Sequence, residues 1–252
     1  MKKLLPLFNG IAFTATLYVN YLSNTGLINN NTNSTVSQKF ENLFTPAGYA
    51  FSIWGIIYLL LIAFVLFQGT ALLKKGNDVA EKIGGWFIIS CTANAVWLYA
   101  WLHETLLLSV AIMILLLYSL LQIHFKTDSI KEIETLKYKF LVRLPFSIYL
   151  GWISVALIAN IAALLTQWSW KGFGLSEVFW TVLMICIAGV VNIWITRVRN
   201  IPVFSLVGVW ALLAIAAANK NVEPLIVSAA YLVSGILLIH LLVFVFKRKQ
   251  FL

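Results

Sequence analysis

Pro46-Ala47-Gly48-Tyr49-Ala50-Phe51-Ser52-Ile53-Trp54-Gly55-Ile56-Ile57-Tyr58, PAGYAFSIWGIIY, opens a hydrophobic run with a proline and then sets aromatic residues along it. Proline suits the first turn of a helix, where its missing N–H costs nothing. At roughly 100° per residue, offsets of 0, 3 and 7 lie within about 60° of one another, so Phe51, Trp54 and Tyr58 are expected on one face. The run continues without charge to Gly69, long enough to cross a bilayer. Its aromatic stripe therefore faces lipid, another helix or a ligand.

Composition decides the setting. The chain has 252 residues, 61% hydrophobic and only 11% charged, with a mean hydropathy of +0.91. This is a polytopic membrane protein rather than a soluble domain. A net charge of +9 would suggest nucleic acid in a soluble chain, but here the basic residues occupy short loops between apolar runs, so nucleic-acid binding is excluded and topology explains them. Cys91 and Cys186 both lie inside apolar segments and are expected to be buried small side chains, neither a disulfide nor a metal site.

Eight apolar runs follow one another: Leu4–Ser23, Ala47–Phe67, Ile83–Leu102, Thr105–Phe125, Phe146–Leu165, Glu177–Ile195, Pro202–Ala218 and Pro224–Phe246. Each is near the ~20 residues a span needs. Lys2 and Lys3 before the first run resemble the start of a signal peptide. Asn9 and Asn20 interrupt that run and no small-x-small cleavage site follows it, so it is read as a retained span. With the N-terminus inside, all but three of the 18 basic residues face the cytoplasm; Lys39, Lys171 and Lys220 fall one to each of three external loops. Eight all-α spans with both termini cytoplasmic are expected, in a bacterial cytoplasmic membrane. The external segment Asn24–Thr45 turns amphipathic at Phe40, Leu43 and Phe44, as a lid over the outer end of the second span would. The cytoplasmic loop Lys126–Lys139 is expected to form a short polar surface helix.

Two further spans repeat the aromatic spacing. Asn94, Trp97 and Trp101 stand at offsets 0, 3 and 7, and Tyr149, Trp152, Ala156 and Asn160 at 0, 3, 7 and 11. An asparagine amide in hydrocarbon costs several kcal/mol, of order ~2–7, unless it is hydrogen-bonded. Asn94 and Asn160 should therefore point into the bundle and take their tryptophans with them. Rings on converging helices line an apolar pocket with a few fixed donors, which suits a flat hydrophobic ligand. Core packing explains the same stripes, and both readings stand at this point. Trp101, Trp168, Trp170 and Trp180, near span ends, also read as interfacial anchors. Catalytic and metal constellations are not found: His103, His124 and His240 show no ligand spacing, and no GxSxG, HExxH or phosphate loop occurs. His240 is expected to be hydrogen-bonded to a neighbouring helix, and Arg143 to reach the cytoplasmic surface.

At these stripes the chain resembles the translocator protein family, also called tryptophan-rich sensory proteins (TspO/MBR). Pro46 to Phe51 with Trp54 and Tyr58 is similar to the family's second-helix motif, with Ser52-Ile53-Trp54 standing where the family has proline-valine-tryptophan. Asn94 and Trp97 followed by Leu102-His103 resemble the third-helix pair and the turn into the fourth helix. Tyr149, Trp152, Ala156 and Asn160 match the fifth-helix motif at the family's own spacing. The resemblance covers Met1 to Leu165 as a five-helix bundle, residues 1–165, leaving 166–252 as three additional spans. It implies a ligand-binding or sensory protein that takes porphyrin-like ligands, heme included, between helices, commonly as a homodimer. No cofactor is required, and no catalytic residue is implied. The ligand-lining set it implies is Pro46, Tyr49, Phe51, Trp54, Tyr58, Asn94, Trp97, Trp101, Tyr149, Trp152, Ala156 and Asn160. A permease for a hydrophobic small molecule, its path completed by the last three spans, is the alternative. A path for polar solutes needs ionisable groups within the spans, and apart from His240 they are confined to loops and span ends.

Overall fold

In the computed structural model, residues 4–72, 78–128, 130 and 135–249 are described. Among them, eight helices of 17 residues or more follow the eight apolar runs: α1 Leu5–Asn24, α2 Ile53–Gly69, α3 Trp86–Leu102, α4 Leu106–Thr127, α5 Leu144–Gln167, α6 Glu177–Arg199, α7 Pro202–Ala218 and α8 Pro224–Lys249. Five helical segments are long and apolar enough to cross a membrane by length and composition: Gly48–Leu72, Leu106–Thr127, Leu136–Gln167, Glu177–Arg199 and Pro224–Lys247. Trp86–Leu102 and Pro202–Ala218 are apolar but shorter. In α1 the interruption comes from Asn9 and Asn20, both buried.

The chain forms two compact units, residues 1–39 with 53–153, and residues 40–52 with 154–252. In the first, α1 packs on α3 and α2, and α3 on α4. The buried positions of α1 are Pro6, Asn9, Phe13, Thr16, Asn20 and Ser23, a strict alternation of three and four that makes a narrow seam. Four of the six are polar, so this seam must be hydrogen-bonded rather than merely apolar. Asn9 Nδ2 donates to Gln68 Oε1 at 2.7 Å, and Thr16 Oγ1 to the Cys91 carbonyl at 3.0 Å. An aromatic group of Phe64, Phe87 and Phe146 fills the inner part of this unit, with centroids 4.8 to 5.9 Å apart.

In the second unit α6, α7 and α8 pack together in all three pairs. Ser176 caps α6 by accepting from the Phe179 N–H at 3.1 Å. At the other end Asn200 takes the left-handed conformation, φ 55°, and Pro202 starts α7. Thr196 and Ser205 hydroxyls meet at 2.7 Å between α6 and α7. His240 of α8 accepts a hydrogen bond from Arg197 Nε of α6 at 3.0 Å, the interhelical partner expected of it.

Several local expectations change. Residues Gly48–Ser52 form a 3-10 turn and the α-helix begins at Ile53, so the 100° rule does not reach back to Phe51. There Ala47 N–H donates to the Ala214 carbonyl of α7 at 3.0 Å, and Ala50 N–H closes a turn onto Ala47. Cys186 is exposed, not buried; Cys91 is buried. The segment after α1 anchors on α3 rather than on α2. Asn29 and Asn31 side chains both donate to the Leu102 carbonyl at 2.9 Å, and Lys39 pairs with Glu104 at 2.6 Å. Those amides supply partners that the end of a helix lacks. Arg143 lies 4.0 Å from Asp128. Lys2, Lys3, Lys74, Lys75 and, within the loop Lys126–Lys139 expected to form a polar helix, residues 129 and 131–134 lie outside the described residues; a short helical turn, Leu136–Tyr138, follows.

Candidate functional site

The first unit gathers seven of the twelve residues singled out in the sequence. Tyr58, Trp54, Trp97 and Trp101 form a stacked column: Tyr58 to Trp54 5.5 Å at 19°, Trp54 to Trp97 6.3 Å at 28°, Trp97 to Trp101 6.1 Å at 25°. Tyr149 and Trp152 meet Trp54 edge-on, at 5.7 Å and 70° and at 6.4 Å and 84°. Offset stacks and edge-to-face pairs at these distances are the favoured ring geometries, each contributing about 0.5–1.5 kcal/mol beyond area burial. Trp54 is the hub, touching four rings from three helices. The third- and fifth-helix rings are buried, Trp97 6%, Tyr149 3% and Trp152 2% exposed, whereas Trp54 and Tyr58 are half-buried. The column thus has a closed side and an open side.

A chain of polar groups runs beside the rings. Tyr58 OH donates to Asn20 Oδ1, Asn20 Nδ2 donates to Asn94 Oδ1 at 2.9 Å, and Asn94 Nδ2 donates to Tyr149 OH at 3.0 Å. Asn20 also donates to the Thr16 carbonyl at 2.9 Å. Each amide here is satisfied by another side chain on a different helix, which fixes the ring orientations that the phenols carry. Asn20 is the member the motif spacing does not point to. Its signal was present as the polar positions of the α1 seam, Asn9, Thr16, Asn20 and Ser23, spaced as buried positions are.

The remaining five residues lie in the second unit. Pro46 is buried, Tyr49 is exposed and Phe51 half-buried. Tyr49 rests edge-on against Trp210 of α7 at 5.2 Å, and the Trp210 indole donates to the Ala50 carbonyl at 3.2 Å. Ala156 is half-buried and Asn160 buried on the later part of α5. Trp101 is 7% exposed, a member of the column and not an interfacial anchor. Trp168 is 58% exposed, as an anchor would be. Trp170 and Trp180, also read as anchors, face each other at 5.2 Å in the second unit. Among the described residues no group of three or more His, Cys, Asp or Glu is placed to hold a metal ion.

Long apolar helices, inward-facing amides and a core of stacked indoles define an integral membrane protein of the helical-bundle class. A family model described as TSPO-like protein matches residues 6–243, and the chain belongs to that family. The match runs well past Leu165, so α6, α7 and most of α8 fall within the family's own length. No curated protein and no solved structure matches the chain.

Proposed function

We propose that this protein is a ligand-binding, sensory member of its family that holds a flat apolar ligand of the porphyrin class, heme included, against the open side of the Trp54–Tyr58 column. The observation that carries this reading is the asymmetry of that column. Four rings are locked by packing and by the Asn20–Asn94–Tyr149 chain, while Trp54 and Tyr58 remain half-buried. A rigid aromatic platform loses little entropy on binding, and a planar macrocycle gains most from stacking on it. Family membership and membrane-spanning helices supply the sensory setting. All eight helices cross the membrane, with both termini in a bacterial cytoplasm, and the protein assembles as a homodimer. No cofactor and no catalytic step are part of this reading. Ion-coupled transport is disfavoured because His240, the ionisable side chain well inside an apolar run, is hydrogen-bonded to Arg197 at 3.0 Å.

The test is quenching of tryptophan fluorescence in purified, detergent-solubilised protein by protoporphyrin, heme, a sterol and a carotenoid. Saturable quenching by the two tetrapyrroles, at one per chain, is expected. Quenching that never saturates, or that only the sterol or carotenoid produces, contradicts the proposal.

A further inference from the structure

The second unit contains a cleft of about 580 Å³ that involves none of the twelve residues singled out in the sequence. It is built from two helix faces with the same spacing. Ile158, Ile161, Ala162 and Leu165 of α5 stand at offsets 0, 3, 4 and 7, and Glu177, Trp180, Thr181 and Met184 of α6 stand at the same offsets. Positions so spaced share one side of a helix, so each helix contributes a continuous strip. Along α5, and at Met184 on α6, the strip is apolar; toward the start of α6 it becomes aromatic and charged.

The outer wall is rigid. Trp180 Nε1–H donates to the Gly172 carbonyl at 2.9 Å, and Trp170 packs on the same indole at 5.2 Å. Gly172 has φ +63°, and a Cβ there would lie 3.2 Å from Trp180 Nε1. Ser169 and Phe173 take positive φ as well, 50° and 53°. Non-glycine residues adopt that conformation at a cost, and such strain concentrates where a site is shaped. The rim carries Glu41, Glu177 and Lys171. Glu177 is held in place by the Leu43 N–H, which donates to its Oε1 at 2.8 Å.

We propose that this cleft is a second ligand site, for an amphiphile with an apolar body and a basic amine head. The volume falls within the ~300–1,000 Å³ of small-molecule pockets. Ile158, Ile161, Leu165 and Met184 receive the apolar body. The head lies at the rim, where two carboxylates outweigh one ammonium beside the Trp170 and Trp180 indoles. A carboxylate head meets the same apolar walls but the wrong rim charge.

Three dansyl-labelled undecyl probes that differ only in the head, an amine, an alcohol and a carboxylate, test this. Energy transfer from the protein's tryptophans reports binding to the full chain in nanodiscs of zwitterionic lipid. The amine is expected to bind at least ten-fold more tightly than the carboxylate. The double variant Glu41→Gln, Glu177→Gln should abolish that preference and leave the alcohol's affinity unchanged. Ile161→Trp, which fills the cleft from a partly exposed position, should weaken all three probes ten-fold or more while protoporphyrin still quenches; Met184→Trp serves the same purpose if the first variant is poorly folded. Equal affinity for amine and carboxylate heads overturns the proposal, as does undiminished binding in both folded cleft-filling variants.

Discussion

Asn20 connects two helices that carry the aromatic column, because its amide accepts from Tyr58 and donates to Asn94. Truncating either asparagine strands the buried partners left behind, and a stranded buried polar group costs about 1–3 kcal/mol. Asn94→Ala, which strands Asn20 and Tyr149 together, is expected to lower thermal stability in detergent clearly, whereas Thr14→Ala on the exposed side of α1 should change it by less than about 0.5 kcal/mol. Equal melting curves for the two variants contradict the hydrogen-bonded chain. At this scale the sequence was legible wherever polar and aromatic residues shared a helical period: Asn94, Trp97, Tyr149 and Trp152 all point inward as their spacing implies. Phe51 escaped because the period was applied across a 3-10 turn, and Tyr49, implied only by the family motif, packs on Trp210 instead. Trp170 and Trp180 escaped because a tryptophan near a span end reads as an anchor, and only the fold of residues 169–174 turns the two rings toward each other.

Elements in the second unit are held by close approach as much as by apolar area. A Cβ on Gly208 would lie 2.5 Å from Asn192 Oδ1, and one on Gly189 would lie 2.6 Å from Val233 Cγ1. These glycines let α7 approach α6 and α6 approach α8, the small-residue device that membrane helices use in place of a hydrophobic driving force. Gly208→Ala and Gly189→Ala should each destabilise by about 1–3 kcal/mol through overpacking. Gly55→Ala, with nothing within 4 Å of the added carbon, should be neutral or slightly stabilising, since alanine favours helix by about 1 kcal/mol. Comparable loss of stability in all three would show that helix flexibility, not close contact, sets the requirement. Helix extents were readable from apolar runs bounded by proline and polar loops. Which helices approach closely was not, because a glycine in an apolar run looks the same whether a neighbour lies over it or lipid does.

For the molecule as a whole, the proposed orientation rests on the basic residues, of which only Lys39, Lys171 and Lys220 fall in the loops it places outside. In a background lacking Cys91 and Cys186, Ser34→Cys should react with a membrane-impermeant thiol reagent in intact cells and Thr135→Cys only after lysis. The reverse pattern would invert the topology. The all-α class and the family were both legible, the family from three motifs in the first five runs. The extent of the family match was not, because those motifs end at Asn160 and nothing comparable marks α6 to α8. Nor was the division of the twelve residues between two units, since α5 carries Tyr149 and Trp152 in one and Ala156 and Asn160 in the other.

The proposed role of the column rests on Trp54, the half-buried hub of four ring contacts. Protoporphyrin affinity and thermal stability measured side by side for the wild type, Trp54→Ala and Trp168→Ala give the most direct test. Loss of a stacking hub is worth about 2 kcal/mol or more, a 30-fold or greater fall in affinity, and Trp168→Ala should match the wild type in both measurements. A Trp54→Ala protein that melts earlier yet binds protoporphyrin as tightly as the wild type would contradict the proposed site, because the column would then be core packing alone.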